Sequence, residues 1–587
     1  MTNQRNKLLY HLGLFSVLFV GYVIFCASVV LLANQMIHPV IVPASVLFTL
    51  LTLMLKIRRE KTYWLKLVVI WLVLFVIALV LCGWVYDVSW DGNAYHKGAV
   101  GYLAQGWNPL YQTMEEFVLQ SDMEGVQQFT SLPWVEFFPK ASWLFGASIY
   151  AVTGNIETAK VINVIIAFCV FAYSWEFFNQ RLSGIVTARD ACANHGKGRF
   201  LIQLLFCTVC AANPIAVNQI LVFYVDGLLA SGITLLFLCL LNLSWNKRDF
   251  SNAEEWLWLF PTILLLCNLK FTSLGITAVF CAMFYFFWLG REWVRTRSKG
   301  TVPRWKDIRT ATIFYVAVVL CSVVIVGATS YVRNTVVWGH PFNPIMGPNA
   351  TSSEAAVMGG YLPENVADKS AIEKWFLVFF SKTKCAAHEE TPIQLKIPFT
   401  FTADELNVTT IDTERAGFGF LYSGIFLVSL AVSALEIWAA IKHKEYEEAV
   451  LLGTIHGCWL VLVSIVSASW LARYSPYLFV PVVLAQILLL RRGNFAAKAG
   501  FVILSGMILL NSLTLAIFPA KQIKQSVSMH AAINQIKNTT EPVVMTCGMC
   551  GPLFNLMDED VNYVVVDELP GESKTIADMW LLNYSVP

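Results

Sequence analysis

Apolar stretches near the length that crosses a lipid hydrocarbon core recur along almost all of this 587-residue chain, and they constrain its fold more than any other feature. A segment in hydrocarbon must satisfy its backbone hydrogen bonds internally, so each stretch is expected to form an α-helix. The stretches lie near 9–33, 39–56, 64–85, 156–179, 199–222, 227–245, 256–269, 273–290, 310–332, 417–441, 449–469, 474–490 and 499–519. The fold expected is therefore an all-α polytopic membrane protein of about 13 transmembrane helices. Hydrophobic residues make up 57% of the chain and charged residues 14%, which agrees with that class. Successive spans absorb most of the length, so one transmembrane domain over 1–519 is expected, with outer loops at 86–155 and 333–416. A net charge of +2, with no long block of like charge, gives no reason to expect a nucleic-acid partner. The fourteen cysteines are scattered mostly within apolar runs, where a thiol behaves as a small hydrophobe.

Charge position then sets a topology. Arg5 and Lys7 precede the first run and no small-residue cleavage site follows, so a retained first helix starting in the cytoplasm is expected. From that start the basic connections at 56–61, 181–199, 291–309, 442–445 and 491–498 all fall on the cytoplasmic side, in line with the positive-inside rule. The alternation holds only if 133–153 does not cross; its charges and prolines suit a helix lying flat at the interface beneath the first loop. The expected location is a bacterial inner (plasma) membrane, with the functional face toward the periplasm or exterior.

Beyond Pro519 the sequence changes character. KQIKQSVSMHAAINQIK reads as a helix, and PVVMT and NYVVVDE read as strands flanking CGMCGP. The segment 520–587 is expected to be a small extracytoplasmic α/β domain, too short for a large core of its own and so leaning on the membrane domain. Cys547 and Cys550 have CxxC spacing with no second pair nearby, which favours a local disulfide over a zinc site. Asn349, Asn407 and Asn538 begin sequon patterns in outer segments. The loop 350–416 is long enough to cap a cavity, and Glu414 and Arg415 at its re-entry suit either an ion pair or a substrate contact.

Ionisable residues at a membrane boundary are costly unless they line a cavity or have a task. Five sets stand out, and the expected topology puts all of them on one face. SWDGNAYHKGAVGYLAQGWNPLY (89–111) carries Asp91, with Tyr95 and His96 four and five residues later and Trp107 beyond. Asp91 is either the N-cap of an interfacial helix or a general base beside a lipid-accessible cavity. Asp226 stands in a very short turn between two apolar runs, and Lys270 interrupts apolar sequence between two short ones, where it either snorkels or lines a polar site at depth. Arg333 leads out of a span, and Arg473 with Tyr474 stands between two more. Arg333, Lys270 and Arg473 on one face would suit a lipid phosphate, while a carboxylate deprotonates an acceptor hydroxyl or amine.

These residues resemble the GT-C superfamily of integral-membrane glycosyltransferases, which take sugars from polyprenyl-phosphate carriers on the extracytoplasmic face. WDGNAYH looks like the superfamily's first acidic motif and NP…YVDG like its second. RNTVVWGHPFNPI and WLARYSPYL resemble motifs of its later outer segments. The resemblance implies Asp91 as catalytic acid-base group and Asp226 as a second carboxylate. It implies phosphate-side cations at Lys270, Arg333 and Arg473, cavity walls at Tyr95, His96 and Trp107, and an inverting direct displacement. Gly92 departs from the commonest first motif, which has two adjacent acids; Asp87 could supply the second carboxylate. The partners implied are a polyprenyl-phosphate-linked sugar, a glycan, lipid or protein acceptor, and membrane lipids. No cofactor is expected, because three cations would offset the phosphate charge, although two carboxylates could also hold a divalent ion. A transporter or flippase of a lipid-linked or anionic solute, and a ligase or polymerase of lipid-linked glycans, remain open. The absence of an internal repeat and the clustering of polar groups on one face favour the transferase over the transporter.

Overall fold

The computed structural model of the protein describes residues 7–57, 59–184, 195–245, 254–299, 305–348, 350, 365–366, 368–384, 392–408, 411, 415–466, 468–570, 573–577 and 580–585. Among these, nine helical stretches are long and apolar enough to cross a membrane. The chain is thus an integral, multi-pass membrane protein. Its long helices are α1 (Leu8–Leu32), α3 (Lys61–Trp84), α6 (Val161–Arg181), α8 (Asp226–Trp245), α10 (Phe271–Lys299), α11 (Trp305–Leu320), α12 (Tyr422–Lys442), α13 (Tyr446–Ile465) and α15 (Phe495–Leu515). The other four expected spans form shorter helices: α2 (Ile41–Lys56), α7 (His195–Ala211), α9 (Glu255–Leu266) and α14 (Val480–Arg492).

Proline accounts for two of these shortenings. Pro214 follows the end of α7 and starts a separate five-residue turn, Pro214–Asn218. Pro476 begins a 3-10 turn ahead of α14, so the expected run from 474 becomes an α-helix only at Val480. The segment expected at the interface contains α5 (Ala141–Thr153), whose 13 residues rise about 20 Å, well short of the hydrocarbon core. It is buried from Ala141 to Tyr150 apart from Ser142, and so packs within the protein.

Position within the bundle follows composition around each helix. Residues Asp226 to Ser244 of α8 are all buried, as suits a helix that is apolar on every side. Helix α3 exposes Leu65, Val69, Leu72, Val73, Val76, Ile77, Val80 and Leu81, the surface expected of a lipid-facing helix. The two ends of the bundle differ in chemistry. At one end Lys7 meets Glu176 at 3.7 Å and Glu254 at 3.8 Å, Arg291 meets Glu447 at 3.7 Å, and Arg491 pairs with Glu448. These contacts join the starts of α1, α9 and α13 to the ends of α6, α10 and α14. The end of α1, the end of α3 and the start of α8 meet the first outer loop at the opposite pole, where Asn108 Nδ2 donates to the carbonyl of Leu31 at 3.0 Å.

Helix α15 is followed after Ala516 by α16 (Ile517–Lys537), so position 519 falls inside a helix. A four-stranded sheet follows, in the order β2-β1-β4-β3: β1 (Val543–Cys547), β2 (Tyr563–Val565), β3 (Lys574–Thr575) and β4 (Leu582–Ser585). β1 and β2 are parallel, and the other pairs are antiparallel. Helix α17 (Gly551–Asp558), between β1 and β2, lies against the first outer loop. A Cβ on Gly551 would stand 2.6 Å from the Asn93 carbonyl oxygen, so only glycine permits that approach. The expected disulfide is not formed. Cys547 and Cys550 are both free; the Cys550 thiol donates to the Ala94 carbonyl at 3.3 Å, and the Cys547 thiol to that of Met549 at 2.9 Å.

Asp558, at the end of α17, accepts from the Tyr150 hydroxyl at 2.5 Å and from the Ile156 amide at 2.6 Å. Burial nevertheless pushes its carboxyl up to about 7. Because the folded pKa lies above the unfolded one, the penalty for holding the charged form is absent below about 4 and accumulates as pH rises to about 7. The detergent-solubilised protein is therefore expected to melt at a higher temperature at pH 5 than at pH 7.5. Asp558→Asn should flatten that difference, and an unchanged pH dependence in the variant would remove Asp558 as its cause.

Candidate active site

The segment after α3 turns on Asp87. This carboxylate is fully buried and accepts from the Ser89 amide at 2.7 Å and from the Phe223 amide at 2.8 Å. One side chain thus ties the strand leading to Asp91 to the loop leading to Asp226. Burial raises its pKa, while Lys97 and Lys160 oppose that rise. Asp87 is accordingly enclosed structure and no second exposed acid. Its carboxylate also explains the glycine that follows Asp91: a Cβ on Gly92 would lie 2.3 Å from both Asp87 Oδ2 and Ser89 Oγ. The adjacent acid of the commonest motif has no room here.

Gly92 opens a π-helical turn, Gly92–His96, that leads directly into α4 (Lys97–Ala104). Asp91 has helical backbone angles and its side chain makes no capping bond, so the N-cap expectation fails. Its carboxylate instead meets Arg473 Nη1 at 3.0 Å, with both side chains about a quarter exposed. The Asp91 amide donates to the Tyr224 hydroxyl at 3.2 Å.

A second ion pair stands beside the first. Asp226, the first residue of α8, pairs with Lys270 from the break between α9 and α10, and both are largely buried. The Lys270 ammonium lies 3.8 Å from the centre of the Tyr474 ring, and the Arg473 guanidinium 5.4 Å from that same ring. Tyr474 therefore joins the two pairs. The Arg473 guanidinium also stands 5.7 Å from the Tyr224 ring.

Aromatic groups close one side. Tyr95 and His96 have ring centres 4.3 Å apart, and His96 lies 6.2 Å from Tyr224. Trp143 Nε1 donates to His96 Nδ1 at 2.8 Å, which leaves the imidazole proton on Nε2. Burial lowers the His96 pKa to about 4, against the opposing pull of Asp91 and Asp226. The ring is thus neutral near pH 7. Both carboxylates and both cations act on it electrostatically, so the five groups share one environment.

Two expected members lie elsewhere. Arg333 pairs with Glu136 at 2.5 Å and not with the Asp91 and Asp226 groups. Glu136 also accepts from the Met114 amide at 2.7 Å, which fixes the carboxylate within the first outer loop. Trp107 has no exposed surface and so lines no accessible cavity. Its ring lies 5.7 Å from the ammonium of Lys140, which donates to the carbonyls of Glu136 and Phe138. Burial lowers the Lys140 pKa to about 7. The three expected cations are thus divided, two at the Asp91 site and one in a neighbouring cluster.

Several groups were not singled out from the sequence. Tyr224 holds the Asp91 backbone, and Glu136 takes Arg333. Lys97 is wholly buried and donates to Asn93 and Glu157 at 2.8 Å and to Asn555 at 2.7 Å. Lys160 donates to Glu157 at 2.5 Å. The trait that could have marked Lys97 is its position one residue after His96, on a helix whose other residues are mostly apolar. Glu414 lies outside the described residues, as do Asn349 and most of KTKCAAHEE. Among the described residues no three His, Cys, Asp or Glu side chains group as metal ligands.

No family model matches this sequence, and no curated protein matches it. Among solved structures the chain is similar to the crystal structure of ArnT from Cupriavidus metallidurans in the apo state. The likeness has 12% identity and a TM-score of 0.38, and it covers 85% of this chain and 86% of that one.

Proposed function

We propose that the protein is a membrane glycosyltransferase that moves a sugar from a polyprenyl-phosphate carrier to a lipid-linked, polysaccharide or protein acceptor, at the extracytoplasmic face and with inversion. The observation that carries the reading is the meeting of two carboxylate–cation pairs, Asp91–Arg473 and Asp226–Lys270, around the single ring of Tyr474. The chemistry follows from their charges. Without substrate, the two pairs sum to zero. A partly exposed pair such as Asp91–Arg473 contributes only about 0–1 kcal/mol, so an incoming lipid phosphate displaces the carboxylate from Arg473 at little cost. Arg473 then takes the phosphate oxygens in a fork, and Asp91 is released as a base.

In the transfer step the acceptor oxygen or nitrogen forms a bond to the anomeric carbon, and the bond from that carbon to the phosphate oxygen breaks. The acceptor proton goes to Asp91. The electron pair of the broken bond goes to the leaving phosphate, where Arg473 and Lys270 stabilise the added charge. Asp226 holds Lys270 and, at the start of α8, gains from the positive end of that helix. His96, neutral and with its proton fixed on Nε2, is suited to donate to a sugar hydroxyl. In this reading charge neutralisation falls to side chains, and no metal ion is assigned a role.

The test is sugar transfer in proteoliposomes from a panel of labelled polyprenyl-phosphate sugars, with a lipid extract as acceptor. Carrier-dependent transfer by the wild type is the expected result, and Arg473→Gln should raise the KM for the carrier about tenfold or more, as loss of a charged hydrogen bond implies. Absence of transfer from every carrier would overturn the reading.

A further inference from the structure

A cavity of about 740 Å³ lies apart from the Asp91 site. It opens between the first outer loop and the C-terminal sheet domain, on the same pole of the bundle. Its volume falls in the ordinary range for small-ligand sites. The two sides are joined and do not merely abut: Glu124 Oε1 accepts from the Val565 amide at 3.1 Å, and the Tyr563 hydroxyl donates to the Glu124 carbonyl at 3.4 Å.

Its lining has a definite chemistry. Gln105, Gln120, Asp122, Glu124 and Asn562 supply carboxylates and amides, Phe117 and Tyr563 supply rings, and among the described residues no lysine, arginine or histidine lines it. Two carboxylates without a lining cation repel phosphate and uronate groups. Carboxylates accept from hydroxyls, amides both donate and accept, and rings suit the apolar faces of sugars. We infer that this cavity binds an uncharged oligosaccharide portion of the acceptor, an assignment that rests on the transferase reading above. Charge then divides the work: the donor's phosphate goes to Arg473 and Lys270, and the acceptor's hydroxyls go to the cation-free cavity.

The spacing suits an extended acceptor. Residues 90–104 form one continuous helical segment, so Asp91 and Gln105, fourteen residues apart, are separated by about 20 Å. An acceptor held at the cavity must reach along this helix to the reacting centre, so a chain of several sugars fits and a single sugar does not span it.

The test measures binding apart from transfer, by saturation-transfer NMR and titration of the full-length protein in detergent. The probes are the pentamers of N-acetylglucosamine, glucose and galacturonate. At least one neutral pentamer is expected to bind at about 1 mM or tighter, with galacturonate binding at least tenfold more weakly. The double variant Gln105→Ala/Asn562→Ala removes one exposed amide from each side of the cavity. It should weaken binding of the neutral pentamer about tenfold, as loss of two hydrogen bonds implies. Failure of both neutral pentamers to bind, galacturonate binding as tightly as either, or binding untouched in the double variant would each overturn the inference. If the wild type transfers no sugar from any carrier while the neutral pentamer still binds at this cavity, the transferase reading fails and the binding site stands.

Discussion

Asp91→Asn is expected to lower sugar transfer from the carrier by about 10²–10⁴-fold, the usual contribution of a positioned base, with little change in stability. The amide keeps the size of the side chain and cannot take the acceptor's proton. The ion pair it loses is partly exposed and is worth about 0–1 kcal/mol, so the melting temperature should move by only a few degrees. The KM for the carrier should not rise, because Arg473 no longer has a carboxylate competing with phosphate. A fall in kcat without a rise in KM would identify a group acting in the transition state. Equal transfer by variant and wild type would take Asp91 out of the chemistry.

The second large effect is on stability. Lys97→Met should destabilise the protein by about 3–5 kcal/mol, the range for breaking a buried ion pair from one side. The ammonium of Lys97 has no exposure and bonds Asn93, Glu157 and Asn555, so its removal takes a donor from the side-chain oxygens of Asn93 and Asn555 and a cation from Glu157. Lys160 still holds Glu157, but the enclosed charge is then unbalanced by Asp87. The double variant Lys97→Met/Glu157→Gln should recover part of the loss, a coupling that thermal unfolding of the four proteins measures directly. Proteolysis between α16 and β1 should increase in Lys97→Met, since Asn555 lies in the domain that follows. A melting temperature unchanged from wild type would show that the network carries no net stability.

Much of the membrane architecture was legible because a hydrocarbon core imposes one rule on every segment. The apolar runs became helices, and among the described residues Lys7, Arg291 and Arg491 form ion pairs at one pole. The meeting of Asp91, Asp226, Lys270 and Arg473 was also legible, because an ionisable residue at the end of an apolar run is costly and therefore rare. Helix length was less so, since Pro214 and Pro476 cut runs that hydropathy alone reads as continuous. Arg333 was grouped with the wrong partners for a different reason. Its counter-charge, Glu136, comes from a loop without periodicity, where no spacing rule predicts who faces whom. Lys97, in that same loop, and Glu157 and Lys160, at the start of the next apolar run, carry no pattern that marks them as partners. Asn555, 458 positions after Lys97 and 398 after Glu157, bonds both of them, and no local pattern carries that information.

That distance in sequence has a consequence for synthesis. Lys97 and Asn555 are 458 positions apart, and Trp580 donates to the carbonyl of Asp87, the residue that ties Asp91's strand to Asp226's loop. When the membrane helices have inserted but residues past 550 have not yet emerged, the turn bearing Asp91 has one wall missing, and Lys97 lacks the amide of Asn555. That wall forms only when α17 and Trp580 dock against the turn. A chain halted short of α17 would sit in the bilayer with its spans in place and the turn bearing Asp91 open on that side, so the proposed chemistry would wait on the synthesis of α17 and Trp580.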